Sequence, residues 1–339
     1  MRRLKRYICL VGLLALLAAA LTGCGFSDDS VEELFTLPRM AEEYTGLTQE
    51  LEALITQGYE YASPTGGRNI QSVQMADLDG DGQQEALAFF RMSSDEKPLK
   101  IFVFKIEGDS YARYCTIESS GTAIDSVYYQ DLNGDGRREL IVGWRISAEV
   151  QTVAVYTVAR EPVALMSSGY TRFTIQDLNG DGIPSLLVLR TDADSQPVAE
   201  FYGWQDEQMG VAYRCVLSST MASVNRGSLV SGRLDADTPA LYITGVDEQG
   251  MAATDILVFR QDLGLVNLAL SGSSTGVSNA VFPYRQLLPQ DINGDGIIEL
   301  PSPDTSWTAE QTDGLVSWLC CNGDGQLATV AKTYPVSYT

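Results

Sequence analysis

A ten-residue motif recurs along this chain and constrains its fold more than any other feature. It reads DLDGDGQQEA at 77–86, DLNGDGRREL at 131–140, DLNGDGIPSL at 177–186 and DINGDGIIEL at 291–300, and a degenerate copy, RLDADTPALY, lies at 233–242. Each intact copy has an acidic or amide side chain at its first, third and fifth positions and glycine at its fourth and sixth. The repeated spacing predicts one structural unit that the chain builds several times.

The motif has the composition of a loop that binds a hard cation through oxygen atoms. In the second copy, the side chains of Asp131, Asn133 and Asp135 are spaced to converge on one ion. The backbone carbonyl of Arg137 offers a further oxygen, and Glu139 at the ninth position closes the shell. Glycine lets the backbone turn sharply around the ion, because it has no Cβ. The pattern therefore indicates calcium, and we expect three to four sites.

Two helical calcium-binding folds do not fit this pattern. An EF-hand requires a bidentate glutamate at the twelfth position and a helix on each side of the loop. The twelfth positions here are Ala88, Val142, Val188 and Ser302, none of them a carboxylate. The runs after the loops, such as LIVGWRI and LLVLR, are short and rich in β-branched residues, which predicts strands. A dockerin-like arrangement fails as well, because it also needs helices.

The spacing of the motif indicates the architecture. The loop starts are separated by 54, 46, 56 and 58 residues, a period typical of propeller blades. In each unit one strand enters the loop, a second leaves it, and a third and fourth follow around a polar turn. Five such units occupy the chain from about residue 67 to residue 333. The sequence therefore predicts an all-β fold, a β-propeller of about five four-stranded blades with the loop between the first two strands of each.

The motif D-x-[DN]-G-D-G-x-x-[DE]-[LI] between two strands resembles the FG-GAP and VCBS repeats of integrin-α-type β-propellers. Over about residues 67–339 the chain is similar to the VCBS-repeat lipoproteins of bacteria, in which this loop binds calcium. The resemblance implies side-chain ligands in all four intact loops: Asp77, Asp79, Asp81 and Glu85; Asp131, Asn133, Asp135 and Glu139; Asp177, Asn179 and Asp181; Asp291, Asn293, Asp295 and Glu299. The carbonyls at the seventh position belong to Gln83, Arg137, Ile183 and Ile297.

Two copies depart from the family pattern. Ser185 replaces the carboxylate at the ninth position of the third loop, which weakens that expected site. Arg233 and Leu241 occupy the first and ninth positions of the degenerate copy, and neither offers a carboxylate. We therefore expect no calcium in the degenerate copy, and the third loop is the one whose calcium binding the sequence leaves open.

Residues 1–24 are a predicted lipoprotein signal peptide. The basic run RRLKR precedes the apolar run YICLVGLLALLAAAL, which ends abruptly at Leu21-Thr22-Gly23-Cys24. The apolar run is too short to be a clear membrane-spanning helix. Its ending resembles a bacterial lipobox, which implies that Cys24 carries the lipid, and an ordinary signal peptide or membrane anchor is the alternative. We expect an extracytoplasmic protein held on the cell membrane by a lipid anchor.

Residues 25–66 are expected to hold a polar tether and one amphipathic helix, at about 38–57. Pro38 suits the first turn of this helix, and Gly58 suits its C-terminal end. Its apolar stripe, with steps of three and four residues, consists of Met40, Tyr44, Leu47, Leu51, Leu54 and Ile55. We expect the stripe to pack against the β domain; a partner-binding helix is the alternative.

The composition excludes several classes of function. The chain of 339 residues has no histidine, which removes Ser–His and Cys–His catalytic pairs and the commonest metal ligand. A net charge of −21 repels nucleic acid, so we expect no nucleic-acid partner. The cysteines of the β region, Cys115, Cys215, Cys320 and Cys321, have no metal-site spacing. Buried free thiols are favoured over a disulfide framework, although an extracytoplasmic compartment permits bridges.

Together these features favour a non-catalytic scaffold that binds an unidentified extracellular protein or glycan. One alternative is a glycosidase-like enzyme with paired carboxylates, although spacing selects no pair among Asp192, Asp194, Glu200, Asp235 and Asp237. Another is a sensor or assembly subunit of a membrane complex, with the helix at 38–57 as its contact. Trp144, Trp204 and Trp318 are expected in the packing of the sheets, and Trp307 is a candidate for ligand contact.

Overall fold

The computed structural model describes residues 43–250, 252–268, 287–303 and 316–333, and these residues are mainly antiparallel β structure. The predicted all-β class is therefore confirmed. The chain divides into two compact units, Met1–Thr45 and Gly46–Thr339, and every described strand belongs to the second unit. The described helices are α1 (Glu43–Thr56) and α2 (Met221–Val224).

The described strands form five separate sheets in chain order. The first contains β1 (Glu60–Tyr61), β2 (Val73–Ala76), β3 (Glu85–Arg91), β4 (Leu99–Glu107) and β5 (Ser110–Ser119). The second contains β6 (Ala123–Gln130), β7 (Glu139–Arg145), β8 (Gln151–Tyr156) and β9 (Ala164–Gly169). The third contains β10 (Arg172–Gln176), β11 (Ser185–Thr191), β12 (Pro197–Gln205) and β13 (Gln208–Val216).

The fourth sheet contains β14 (Leu229–Arg233), β15 (Pro239–Val246), β16 (Ala252–Arg260) and β17 (Gly264–Asn267). The fifth contains β18 (Leu300–Pro303), β19 (Val316–Cys321) and β20 (Leu327–Thr333), and an isolated antiparallel bridge joins Gln290 to Glu299 just before β18. Within the second, third and fourth sheets, each strand pairs with the next strand along the chain. The predicted strand–loop–strand plan is therefore confirmed in these sheets.

Consecutive sheets pack against each other through their apolar faces. Successive side chains on a strand point to opposite faces, so one strand can contribute to two cores. On β7, Leu140 and Val142 join the core shared with the first sheet, and Ile141 joins the core shared with the third. Further cores join the third sheet to the fourth and the fourth to the fifth. The second, third and fourth sheets are thus each buried on both faces.

Tyr59, three residues after the end of helix α1, packs on the face of the first sheet that carries Phe90 and Phe102. Leu54 is fully buried, and the ring of Tyr59 meets Phe90 and Phe102 edge-on, with centroids 6.2 and 5.3 Å apart. Ile55, which the sequence placed in the apolar stripe, is 47% exposed. Residues 38–42 of the expected helix lie outside the described residues. No helix in the described ranges is long and apolar enough to cross a membrane.

Candidate metal centre

The four intact loops share one backbone conformation, organised by the aspartate at the first position. Asp131 accepts hydrogen bonds from the amides of Gly134 at 2.7 Å and Gly136 at 2.8 Å. Both glycines have positive φ, +77° and +86°, where a Cβ would be strained. Asp77, Asp177 and Asp291 accept the same pair of glycine amides at 2.6–3.1 Å. The repeated motif therefore builds the same turn four times.

The third and fifth positions hold the middle of each loop. Asp135 accepts a hydrogen bond from the amide of Arg137 at 2.8 Å, and the side-chain amide of Asn133 donates to Asp135 at 3.2 Å. The equivalent asparagines of the third and last loops donate to Asp181 at 2.6 Å and to Asp295 at 2.9 Å. In the first loop the third position is an aspartate, which cannot donate, and the contacts there differ.

The ninth-position glutamate closes the loop from its far side. Glu139 is 4% exposed, and its Oε2 accepts a hydrogen bond from the amide of Leu132 at 2.9 Å. Glu85 and Glu299 accept from the amides of Leu78 and Ile292 at 2.8 and 3.0 Å. One oxygen of each carboxylate thus accepts a hydrogen bond from the backbone, and the other oxygen is available for another contact. Ser185 occupies this place in the third loop.

Burial and hydrogen bonding shift the carboxylate pKa values in opposite directions. Burial raises the pKa of Glu139 to about 7, although the Leu132 amide favours the ionised form. Burial likewise raises the pKa of Glu85. The amides of Gly296 and Gly294 lower the pKa of Asp291, and similar hydrogen bonds outweigh burial and lower the pKa of Asp131. Glu139 and Glu85 therefore favour a nearby cation or a proton, whereas the hydrogen bonds to Asp131 and Asp291 favour their ionised forms.

The donor sets of the four loops fit a cation in their chemistry, and the first loop also does so in the spacing of its carboxylates. The side chains that the sequence assigned as ligands are oxygen donors, which a hard cation prefers. Asp77, Asp79 and Glu85 have carboxylate oxygens within 4.8 Å of one another, the one such group found among the described residues. Asp79 Oδ1 and Glu85 Oε1 are buried without a hydrogen-bond partner. The carboxylates that these loops bring together need a positive charge close by, which a bound ion can supply.

The degenerate copy at 233–242 differs by a deletion as well as by its side chains. Arg233 pairs with Pro239, so the hairpin encloses residues 234–238, whereas Gln130 and Glu139 enclose residues 131–138. Pro239 therefore stands at the register position of the closing glutamate, and Leu241 lies fully buried in the core. The shortened turn is closed by its own backbone, with Leu234 donating to the carbonyl of Thr238 at 2.9 Å.

Loops of consecutive sheets lie next to each other. The amide of Arg138 in the second loop donates to the carbonyl of Leu78 in the first at 2.7 Å. The indole of Trp204, on β12, donates to the carbonyl of Leu132 at 2.7 Å. Sequence reasoning placed Trp204 in sheet packing and did not foresee this contact with the second loop. The first and second loops, with Trp204, line a cleft of about 690 Å³.

Other residues singled out in the sequence have local structural partners. Glu200 accepts two hydrogen bonds from Arg190, at 2.9 and 2.7 Å, and Asp192 accepts one from Arg214 at 2.9 Å. Trp144 and Trp318 are buried, and Trp307 lies outside the described residues. Cys115, Cys215, Cys320 and Cys321 are free thiols, as predicted. Burial raises the pKa of the Cys115 and Cys215 thiols to about 12, which makes both poor nucleophiles.

Comparison with known proteins gives only weak likenesses. No protein-family model and no curated protein matches the chain. A rhamnogalacturonan lyase from Bacillus licheniformis is 12% identical over 80% of this chain and 72% of that chain, with a TM-score of 0.32. A hypothetical protein from Leishmania major is 12% identical over 86% and 94% of the two chains, with a TM-score of 0.27.

A GDP-Man-dependent mannosyltransferase from Leishmania mexicana, MPT-1, is also 12% identical, over 87% of this chain and 96% of that chain, with a TM-score of 0.21. These TM-scores are too low to carry an argument about fold or activity. The function of this chain is therefore inferred from its own loops and sheets.

Proposed function

We propose that this chain is a calcium-stabilised β-propeller of the FG-GAP/VCBS type, with about five blades, that acts as a non-catalytic binding scaffold outside the cell. The observation that carries the proposal is the fourfold repetition of one loop geometry. Asp131 and its three counterparts each accept the same two glycine amides. Three of these loops join paired strands within one sheet, and the last lies between the bridged residues Gln290 and Glu299. Such repetition is what a ring of similar blades requires.

The packing of the sheets supports the propeller arrangement. Successive blades of a propeller pack face to face around a central axis. Each blade is a sheet of four strands connected in chain order. Leu140, Ile141 and Val142 on β7 alternate between two such interfaces. The hydrogen bond from the Arg138 amide to the Leu78 carbonyl places neighbouring loops side by side, as successive blades would.

Calcium is the proposed resident of the second and last loops, and more weakly of the third. Asp131, Asn133, Asp135 and Glu139 would hold it in the second loop, and Asp291, Asn293, Asp295 and Glu299 in the last. An ion that binds only the folded state stabilises it by RT ln(1 + [L]/Kd), about one to a few kcal/mol per site at millimolar calcium and moderate affinity. The absence of histidine and the net charge of −21 agree with this role.

The scaffold role is favoured over the glycosidase-like alternative by the partners of the acidic side chains. A glycosidase needs two carboxyl groups about 5–10 Å apart across a cleft, both available to a sugar. Glu200 and Asp192 instead bind arginines, and Asp235 caps its own turn by accepting from the amides of Asp237 and Thr238. The cleft beside Trp204 is the proposed contact surface for a protein or glycan.

Equilibrium dialysis of the β domain against millimolar calcium tests the metal part of this proposal. We expect at least two ions per chain, and we expect Asp135→Asn and Asp295→Asn each to remove one. The matched control is Asp109→Asn, an exposed aspartate in the turn between β4 and β5. A wild-type protein that binds no calcium under these conditions contradicts the proposal.

Membrane anchoring is tested separately in cells. Wild-type protein expressed in a bacterium should fractionate with the membrane and incorporate a labelled fatty acid, and Cys24→Ser should abolish both. Label incorporation that survives in Cys24→Ser, or a wild-type chain that stays in the soluble fraction, contradicts the anchor while leaving the calcium proposal standing.

A further inference from the structure

Lys105 reaches into the first loop from the neighbouring strand. Ala86 on β3 pairs with Phe104 on β4, so the next position of the register brings Lys105 opposite Glu85. Its Nζ hydrogen-bonds to Asp79 Oδ2 and lies 3.2 Å from Asp81 Oδ2 and 3.8 Å from Glu85 Oε1. These carboxylates occupy the third, fifth and ninth positions of the motif, which are the positions expected to bind calcium.

Among the described sheets, only the first has a cationic residue opposite the closing position of its loop. In the other four sheets the equivalent residue is uncharged: Thr157, Gly203, Phe259 and Cys320. Each lies one register position beyond a described strand pair, namely Leu140–Tyr156, Leu186–Tyr202, Ala240–Val258 and Leu300–Leu319. The first loop also differs in its own sequence, because its third position is Asp79 where the other three intact loops have asparagine. An additional negative charge and an additional positive charge therefore occur together in one loop.

We propose that the ammonium group of Lys105 is the resident cation of the first loop and takes the place of Ca²⁺ there. The first loop then needs no metal to fold, whereas the others follow the calcium-dependent behaviour proposed above. The inference about the first loop rests on the contacts of Lys105 with Asp79, Asp81 and Glu85, and stands apart from whether the remaining loops bind calcium.

The physical basis is that a tethered cation does not depend on the ion concentration outside the cell. Lys105 is 25% exposed at its side chain, so its ammonium remains close to the carboxylates instead of in bulk water. A group attached to the same fold acts at a high effective concentration, without the loss of freedom that a free ion undergoes on binding. The first sheet would therefore remain formed when calcium is low.

The first test is Lys105→Met, which keeps the length of the side chain and removes its charge. In calcium-free buffer we expect the melting temperature of this variant to fall, on the order of 5 °C or more, because three neighbouring carboxylates lose the cation that they contact. Added calcium should restore the melting temperature and bring one more bound ion than wild type. The matched control, Lys97→Met, alters an exposed lysine in the turn before β4 and should change neither quantity.

The second test asks whether wild-type protein holds calcium in the first loop. Asp81→Asn, at the same fifth position as Asp135, should leave the number of bound ions unchanged, whereas Asp135→Asn in the second loop should reduce it by one. An ion lost in Asp81→Asn would show that calcium enters the first loop despite Lys105, and this result overturns the inference. If Lys105→Met is insoluble in both buffers, the Asp81→Asn count alone decides.

The outcomes separate this inference from the proposed function. A wild-type chain without bound calcium defeats the calcium proposal, and a Lys105→Met variant that then melts below wild type still supports a lysine-neutralised loop. Conversely, a Lys105→Met variant that melts at the wild-type temperature in calcium-free buffer overturns the inference, even when the other loops bind calcium.

Discussion

Glu139 Oε2 accepts a hydrogen bond from the backbone amide of Leu132, 2.9 Å away, across the base of the second loop. The bond ties the first residue of β7 to the beginning of the loop, seven positions earlier in the chain. Glu299 makes the same contact with the amide of Ile292 at 3.0 Å. Because the backbone binds one oxygen of each glutamate, the other oxygen is left to complete the proposed ligand set of the metal ion.

Replacing this glutamate should weaken calcium binding without unfolding the loop. In Glu139→Gln the amide oxygen can still accept from Leu132, but the ligand set has lost one negative charge. We expect calcium affinity at the second loop to fall about tenfold or more, roughly 1.4 kcal/mol or above. Isothermal titration calorimetry measures it, with the exposed Glu149→Gln as control. Equal affinities in the two variants would show that Glu139 does not contribute to a site.

The third loop should gain affinity from a single substitution. Ser185 occupies the register position of the closing glutamate, opposite Gln176 as Glu139 is opposite Gln130. We expect Ser185→Glu to tighten calcium binding at this loop about tenfold, and Ser185→Gln, which adds the same length without charge, to leave it nearly unchanged. Terbium luminescence or calorimetry resolves the added affinity. Equal binding by the two variants contradicts the assignment of the ninth position as a ligand.

Calcium-free protein should lose stability as the pH rises from about 5 to 7.5. Burial raises the pKa of Glu139 from its ordinary 4.5 to about 7, so the folded state holds this proton more tightly than the unfolded chain. The resulting stabilisation is fully present below pH 4.5 and is lost as the pH passes 7. Glu85, whose pKa is also raised by burial, acts in the same direction.

Melting of metal-free protein across this pH range measures the effect, and Glu139→Gln should show a smaller change than wild type. Calcium affinity should rise over the same interval, because protons compete with the ion for the carboxylate. A metal-free protein that becomes more stable as the pH rises from 5 to 7.5 contradicts the assigned burial of these glutamates.

The strand–loop–strand units and their first-position aspartates could be predicted because their signals are local in sequence. Asp131 and the glycines it binds lie within six residues, so spacing alone specifies the turn. Lys105 could not be found in this way. It lies 26 residues from Asp79, and only the register of β4 against β3 brings the two together. Trp204 is 72 residues from Leu132 and presents the same difficulty.

Two further features depended on packing that the motif does not encode. The stripe on helix α1 included both Leu54 and Ile55, and the orientation in which the helix docks decides that only Leu54 is buried. In the degenerate copy, a ten-residue alignment matched Leu241 to the ninth position. The strand pairing of Arg233 with Pro239 shows instead that the turn is shorter, which spacing within that copy could not reveal.

Alanine substitutions of two adjacent residues, Leu54 and Ile55, test how helix α1 docks. Leu54 is fully buried, so Leu54→Ala should reduce the free energy of unfolding by about 2–5 kcal/mol. Ile55→Ala removes a side chain that is 47% exposed and should cost less than about 1 kcal/mol. Chemical denaturation measures both. Equal effects would mean that the helix does not pack on the first sheet through Leu54.

The most direct measurement is thermal melting of the β domain with millimolar calcium and with a chelator. The account predicts that the melting temperature is several degrees higher in calcium, because calcium binds the loops of the folded state and not the unfolded chain. It also predicts that Asp135→Asn combined with Asp295→Asn removes most of this difference, because Lys105 supplies the cation of the first loop in either buffer. Identical melting temperatures in calcium and chelator would contradict the claim that metal ions stabilise these loops.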